Sequence, residues 1–187
     1  MAAPLAARRP AESESDWEAR VAKSARMAAA IATAAARANL NDRKPQGTEA
    51  GLALLAACLT RDRDPEICAS LLAECSAEDL RATTMHKDSA FIYAANRGMV
   101  SLLEVFVEKG QDINVTDDEG STALHSAVLN NEPDSVRELL RLGINTTIKT
   151  KLPADPDDEP AMTALELAEG GGFEGSEEMV AILKRGW

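Results

Sequence analysis

The sequence contains few of the residue types that build reactive sites or large cores. Aromatic residues make up 3% of the 187 positions, and there are 2 histidines and 3 cysteines. The apolar fraction nevertheless reaches 45%, and much of it is alanine. We therefore expect a thin, helical core of small side chains, formed by one domain or by an array of small units.

The chain also lacks a long hydrophobic run. Its most apolar run, residues 27–36, is ten residues long and lies between Arg26 and Arg37, so it is too short to cross a bilayer. The first ten residues contain no acidic group, but Glu12 and Glu14 follow closely, which is atypical of a secretory signal. We expect a soluble intracellular protein, cytoplasmic in the first place and organellar as the alternative.

The cysteines do not have the spacing of a metal site. Cys58, Cys68 and Cys75 are odd in number, and no two of them form a closely spaced thiol pair. We interpret them as buried free thiols in a reducing compartment. The sequence predicts no metal and no cofactor.

Negative charge predominates and is unevenly distributed. The chain has 20 basic and 31 acidic residues and a net charge of −11. Residues 1–50 hold 8 of the basic and 6 of the acidic ones, so residues 51–187 hold 12 and 25. An acidic body argues against general affinity for nucleic acid phosphates or an anionic membrane. It favours a protein partner with a basic surface, or it serves solubility alone.

A repeat with a period of 33 residues occupies the second half of the sequence. Gly110 and Gly143 are 33 residues apart, as are Gly98 and Asn131. With this shift, SAFIYAANRGMVSLLEVFVEKG aligns with TALHSAVLNNEPDSVRELLRLG. Each unit predicts a short helix, a tight turn, a longer helix and a terminating glycine. Gly98 and Asn131 suit the left-handed conformation that the turn requires, and Pro133 suits a helix start.

The longer helix of each unit carries the same apolar stripe, at positions i, i+3 and i+4. The stripe occurs four times: Cys68, Leu71 and Leu72; Leu103, Phe106 and Val107; Val136, Leu139 and Leu140; Met179, Ile182 and Leu183. Such a stripe buries one face of a helix, and one unit of this size cannot bury it alone. We therefore expect the units to stack, with Leu139 and Leu140 buried between repeats.

The segment GSTALH, residues 120–125, with Ala127 two positions further on, resembles the ankyrin repeat, whose usual pattern is Gly-x-Thr-Pro-Leu-His-x-Ala. Ala123 stands where that pattern has proline. MTALELA, residues 162–168, carries the same core, whereas the units before residue 117 depart further from it. The resemblance implies an all-α fold. We expect an ankyrin-repeat solenoid of about three and a half stacked helix-turn-helix units with short hairpin-like loops, preceded by an N-terminal helix.

Three parts of the chain are predicted. Residues 1–14 form a disordered or extended tail, and residues 15–47 form an alanine-rich helix and linker. The ankyrin-repeat domain comprises residues 48–187, in four units: 48–83, which is degenerate, 84–116, 117–149 and 150–187.

The predicted N-terminal helix has two possible roles. Ser15 and Glu18 form a capping box at its start, and apolar residues recur along it at spacings of four and three. It either shields the degenerate first repeat or inserts into a partner. Trp17 is the expected principal contact in both cases.

The resemblance implies structural roles for Thr122 and His125. In ankyrin repeats these two motif residues typically hydrogen-bond to nearby backbone and connect adjacent repeats. We therefore expect Thr122 to cap the first helix and His125 to join that helix to its neighbour. A reactive role for His125 would require a nucleophile or further ligands, and the sequence offers none in register.

Two segments interrupt the repeat. Residues 150–160, TKLPADPDDEP, are acidic but lack the mid-loop glycine and the twelfth-position ligand of an EF-hand. They favour a solvated insertion, with a recognition loop for a basic partner as the alternative. Residues 169–175, EGGGFEG, have no Lys-Ser/Thr after them and no strand before them, so a flexible turn is favoured over a phosphate-binding loop.

Three classes of function differ in what they require of the sequence. The first is a non-catalytic scaffold or adaptor that binds another protein through the concave ankyrin face. The second is a permanently bound accessory or structural subunit of a large multiprotein assembly, anchored by the N-terminal helix. The third, an enzyme, is disfavoured, because the sequence has no Ser/His/Asp set, metal-ligand cluster or phosphate loop. We expect a protein partner, no nucleic acid and no membrane insertion.

The resemblance places the contact surface on the turn tips and on the free side of each first helix. The candidate contact residues are Met85, Asp88, Tyr93, Asn96, Arg97, Asp118, Glu119, Ser126, Leu129 and Leu167. Tyr93 and Arg97 are residue types favoured at interfaces, and Asp118 and Glu119 would form an acidic rim. The apolar members either form a contact stripe or are ordinary scattered surface residues.

Overall fold

The computed structural model describes residues 46–59, 65–151, 160–170 and 175–185. The predicted N-terminal helix with Trp17 lies outside the described residues. Most of the acidic insertion and most of the glycine-rich segment at 169–175 also lie outside them. The predicted limits of the three parts of the chain therefore stay a prediction.

The described residues form eight α-helices in four consecutive pairs. They are α1 (Glu49–Leu59), α2 (Pro65–Glu74), α3 (Ala90–Asn96), α4 (Val100–Glu108), α5 (Ala123–Leu129), α6 (Pro133–Arg141), α7 (Ala164–Gly170) and α8 (Ser176–Arg185). One turn of 3₁₀ helix, Asp79–Arg81, follows α2. The fold is all-α, as predicted, but the first pair is complete, so there are four helix pairs instead of three and a half.

The helices form two layers that run along the repeat. The first helices of successive pairs pack on one another, α1 on α3, α3 on α5 and α5 on α7, and the second helices do the same. The two helices of each pair also pack together. We call the first helices inner and the second helices outer. This arrangement is the predicted solenoid, because each unit is stabilised mainly by its neighbours.

The turns within the pairs follow the 33-residue period bond by bond. Gly98 and Asn131 have positive φ angles of 69° and 54°, as predicted for this position. The N–H of Met99 donates to Ala94 O at 2.9 Å, and the N–H of Glu132 donates to Ala127 O at the same distance. Because both bonds join positions that are 33 residues apart, the two pairs share one backbone geometry.

The core lies between the two layers and is formed by the apolar stripes. Phe106, Val136, Leu139 and Met179 are fully buried. Phe106 also contacts Phe91 of the inner layer edge to face, with ring centroids 5.7 Å apart. This ring contact joins α3 to α4 within the second pair.

The prediction that Leu139 and Leu140 are both buried between repeats is confirmed for Leu139 and holds only in part for Leu140. Leu139 has no exposed surface, whereas Leu140 is partly buried and packs at the margin of the core. Successive residues of a helix are rotated by about 100°. Leu139 points into the layer interface, and Leu140 therefore lies at its edge.

Hairpin-like loops join successive pairs. Antiparallel bridges between Thr83 and Ser89, Thr116 and Thr122, and Lys149 and Thr163 close three loops. We call their described residues fingers: 83–89, 116–122, and 149–151 with 160–163. The described residues contain such isolated bridges but no β-strand. The loops confirm the predicted hairpin-like connections.

Neighbouring fingers are joined by backbone hydrogen bonds. The N–H of Asp118 donates to His86 O at 2.9 Å, and the N–H of Lys151 donates to Glu119 O at 2.7 Å. Gly120 permits the second contact, because a Cβ atom there would lie 2.9 Å from the Lys151 nitrogen. The fingers are therefore one connected structure and not three independent loops.

Ion pairs connect the outer helices across repeats. Arg137 on α6 contacts Glu178 on α8 at 2.7 Å, and Arg141 on α6 contacts Glu104 on α4 at 2.8 Å. These side chains are about half exposed, so water screens each pair and its net contribution to stability is small. The outer surface of this part of the chain is thus a solvated, charged one.

Leu139→Ala should lower the free energy of unfolding by about 2–5 kcal/mol, because it opens a cavity between stacked repeats. Leu129→Ala is the matched control, since Leu129 is 57% exposed and the substitution should cost less than about 0.5 kcal/mol. Urea denaturation of both variants measures the difference. Equal effects would show that Leu139 does not lie in the repeat interface.

Ser135→Ala should stabilise the protein by about 1 kcal/mol. Ser135 is fully buried at the position that Leu102 occupies in the preceding unit, and its hydroxyl has no hydrogen-bond partner among the described residues. Alanine removes the unsatisfied group and keeps the backbone. A lower thermal midpoint in the variant would contradict this reading of the hydroxyl.

Candidate functional site

The fingers and the inner helices carry the predicted contact residues. Met85 and Asp88 lie on the first finger, and Asp118 and Glu119 lie on the second. Tyr93, Asn96 and Arg97 belong to α3 or its end, Ser126 and Leu129 to α5, and Leu167 to α7. All but Ser126 are partly or fully solvent-exposed.

A cluster around Tyr93 connects the first finger to α3. The Asp88 carboxylate accepts hydrogen bonds from the Thr84 hydroxyl at 2.8 Å and from the Tyr93 hydroxyl at 3.3 Å. Burial, followed by the negative charge of Asp88, raises the pKa of Tyr93 to about 12. The phenol therefore stays protonated and holds Asp88 as a hydrogen-bond donor. Tyr93 presents the rest of its half-buried ring at the surface.

Asp117 belongs to the same region and was missed by the sequence analysis. Its carboxylate accepts the backbone N–H groups of Glu119 at 2.9 Å and Ser121 at 2.8 Å, and so shapes the second finger. Burial is the main cause that raises its pKa, and the charge of Asp88 adds to it. An aspartate three residues before a glycine in a predicted turn was the available signal.

Arg97 joins two repeats, although it was predicted as a free contact residue. Its guanidinium donates to Leu59 O at 3.3 Å, at the last residue of α1. Lys109 does the same for α2, donating to Ala73 O at 2.8 Å and Cys75 O at 2.9 Å. Cations at helix C-termini satisfy free carbonyls and offset the helix dipole. The second repeat thus caps both helices of the first.

The prediction that Ser126 faces outward is wrong. Ser126 is 9% exposed, and residues 123–128 are all buried. The physical reason is that α5 is covered by α3 and α7 on its two sides and by α6 behind it. Only its end remains free, where Leu129 is exposed.

Apolar surface remains at four of the predicted positions. Among the described residues, Leu129 is the large hydrophobic residue that is highly exposed. Met85, Tyr93 and Leu167 are half-buried. Of the two residues predicted to form an acidic rim, Glu119 is exposed, and the Asp118 carboxylate lies 3.6 Å from His86 Nδ1.

His125 joins the third helix pair to the fourth. Its Nε2 lies 3.1 Å from Met162 O in the next finger. A carbonyl can only accept, so Nε2 carries the proton, and the neutral ring leaves Nδ1 as an acceptor. The Thr122 N–H donates to Nδ1 at 3.2 Å, and the Thr122 hydroxyl lies 2.9 Å from it. Both ring nitrogens are used in structural contacts.

The fourth pair shows what the histidine adds. There Glu166 stands three residues after Thr163, and its carboxylate accepts the Thr163 N–H at 2.8 Å, as His125 Nδ1 does for Thr122. Both are capping boxes at the start of an inner helix. The glutamate caps its own helix, whereas the imidazole has a second nitrogen that also reaches the next repeat.

Within the described residues, no group of three or more His, Cys, Asp or Glu residues has a geometry that could hold a metal ion. No described helix combines the length and the apolar character needed for a bilayer crossing.

A family model described as ankyrin repeats (3 copies) matches residues 52–150, which is more than half of the chain. The chain belongs to the ankyrin-repeat family. No curated protein matches it. The match ends before α7 and α8, yet this last pair stacks on the ankyrin repeats in the same way as the others. Ankyrin repeats are generally protein–protein interaction modules, and most are not enzymes.

His125→Gln should remove a pH dependence from the ankyrin stack. Burial lowers the pKa of His125, so the unfolded chain takes up a proton below about pH 6.5 that the folded chain does not. The contribution of His125 to the free energy of unfolding of the wild type is therefore complete above that pH. It decreases as the pH falls, by at most about 1.4 kcal/mol per pH unit. At pH 7.5 the variant should lose about 1–3 kcal/mol through unsatisfied backbone groups.

Urea unfolding of the wild type and the variant measures the pH dependence and the loss of stability. The pH is varied between about 5.5 and 7.5, the range in which histidine titrates. The slope of the wild type should be reduced or absent in His125→Gln. A slope that persists unchanged in His125→Gln would contradict the assignment.

Proposed function

We propose that this protein is a non-catalytic interaction module that binds a partner protein through its fingers and inner helices, the concave face of the ankyrin stack. It acts as a scaffold or adaptor inside the cell. Nucleic acid and membrane insertion are not part of this function. The proposal assigns the chemistry to recognition and none of it to bond making or breaking.

The observation that supports this proposal is the contrast between the two surfaces. The outer helices carry cross-repeat ion pairs, such as Arg137 with Glu178, which are well solvated and self-satisfied. The finger side instead exposes Leu129 and parts of Met85, Tyr93 and Leu167. Exposed apolar groups rimmed by polar ones mark interaction surfaces.

The partner should present a basic surface to the fingers. The hydrogen-bond partners of the Asp88 carboxylate are neutral hydroxyl groups, and Glu119 extends into solvent. Two nearby cations are already engaged by carbonyls, Arg97 at Leu59 O and Lys151 at Asp118 O. Acidic groups on a chain with a net charge of −11 attract a basic partner and accelerate its association at low salt.

The backbone-linked fingers favour a preformed binding surface. Neighbouring fingers share hydrogen bonds at 2.9 and 2.7 Å, and His125 holds the last finger through Met162 O. A surface that is ordered before binding loses less conformational entropy when the partner docks. The partner is therefore expected to bind without rearrangement of the repeats.

Leu129→Ser and Tyr93→Ala should each weaken partner binding about tenfold or more, because they remove apolar contact area and an aromatic contact. Tagged wild type and variants are used to recover the bound protein from extract of the source cells. Affinities are then measured with the purified partner. Circular dichroism and the denaturation midpoint establish that each variant is folded.

Arg137→Ala on the outer surface is the control and should bind like the wild type. If Arg137→Ala abolishes binding while Leu129→Ser and Tyr93→Ala retain it, the fingers and inner helices are not the interface. A wash in high salt distinguishes two modes. An adaptor exchanges its partner, whereas a permanently bound subunit stays stoichiometric.

A further inference from the structure

Two cysteine thiols of the first helix pair lie side by side. Cys58, near the end of α1, and Cys68, in α2, have sulfur atoms 3.9 Å apart, and neither residue has exposed surface. Cys75, the third cysteine, instead directs its thiol toward Ala50 O. The chain therefore contains one close thiol pair and one separate thiol among its three cysteines.

The pair is specific to the first unit. Cys68 occupies a stripe position. The other units have Leu103, Val136 and Met179 there, and these residues fill the core. An aliphatic residue would fill the position equally well. In the first unit, the Cys58 thiol of α1 lies next to the Cys68 thiol of α2.

We propose that Cys58 and Cys68 are an oxidative modification site, at which an intramolecular disulfide connects α1 to α2. The oxidant is a small-molecule disulfide such as glutathione disulfide. One cysteine thiolate attacks it and forms a mixed disulfide, releasing one small thiol. The second cysteine then displaces the other small thiol. Two protein thiols lose two electrons and two protons in total, and the oxidant is reduced to two thiols.

The reaction requires transient opening of the first pair. In the closed state both thiols are buried, and the hydrogen bond to Cys68, with burial, holds the pKa of Cys58 well above its usual range. The closed thiols therefore react slowly. On closing, the sulfurs return to within about 2 Å of bonding distance, so side-chain rotation can complete the bond. Oxidation then favours the closed pair.

The site lies next to a contact between repeats. Leu59, which follows Cys58 directly, provides the carbonyl that Arg97 of the second repeat binds at 3.3 Å. A covalent link that fixes the end of α1 therefore also fixes the acceptor for Arg97. Oxidation should strengthen the attachment of the first repeat to the rest of the stack.

The test uses the full chain in glutathione redox buffers of increasing oxidised fraction, followed by denaturation, alkylation and mass mapping after digestion with trypsin and a glutamate-specific protease. Arg61 and Arg63 separate Cys58 from Cys68, and Glu74 separates Cys68 from Cys75, so the disulfide appears as two joined peptides and Cys75 lies on a third. The expected product is the Cys58–Cys68 link with Cys75 alkylated. The folding equilibrium constant of the oxidised chain should increase about a hundredfold, from the loop entropy that the link removes.

Cys75→Ser is the control and should form the same link, whereas Cys58→Ala and Cys68→Ala should not form it. Samples are incubated at about 25 °C and at the onset of thermal unfolding. At the higher temperature the first pair opens often enough for the oxidant to reach the buried thiols. Formation of a link to Cys75 in preference, or complete alkylation of Cys58 and Cys68 after incubation at the unfolding onset, would overturn the proposal. Formation of the disulfide without any gain in stability would contradict the claim that oxidation strengthens the attachment of the first repeat.

Discussion

No helix pair of this protein can bury its own apolar stripe. Each pair is short and carries few aromatic residues, so the burial of Phe106, Leu139 and Met179 depends on the pairs on either side. The polar connections follow the same rule. His125, Arg97 and Lys109 each donate to a carbonyl of a neighbouring repeat. Stability therefore resides in the interfaces between repeats.

This dependence also determines which surface is available for recognition. The inner helices are covered on three sides, as α5 is by α3, α6 and α7, and they contribute mainly their ends. The fingers are joined to one another by backbone hydrogen bonds. A preformed row of fingers next to the exposed Leu129 can vary in sequence while the stack stays intact. In the proposed function, recognition depends mainly on the fingers and Leu129, whereas stability depends mainly on the buried stripes between repeats.

The 33-residue period predicted the features that recur at equivalent positions of successive repeats. The positive φ angles at Gly98 and Asn131, the proline at the start of α6 and the role of His125 all follow from a 33-residue shift or from the resemblance it revealed. Contacts between residues at unlike positions were not predictable. The Arg97 bond to Leu59 and the closeness of Cys58 to Cys68 depend on where the first pair sits. Burial of Ser126 depends on its covering helices, which periodicity does not reveal.

Hydrogen exchange of the free and the partner-bound protein tests the central claim, that the fingers and inner helices form the binding surface. Peptide-level exchange detects amides that become protected when a partner covers them or restrains their opening. The account predicts new protection in residues 83–97 and 116–130, with outer helices α4, α6 and α8 unchanged. Protection confined to the outer helices, with the fingers exchanging as in the free protein, would contradict it.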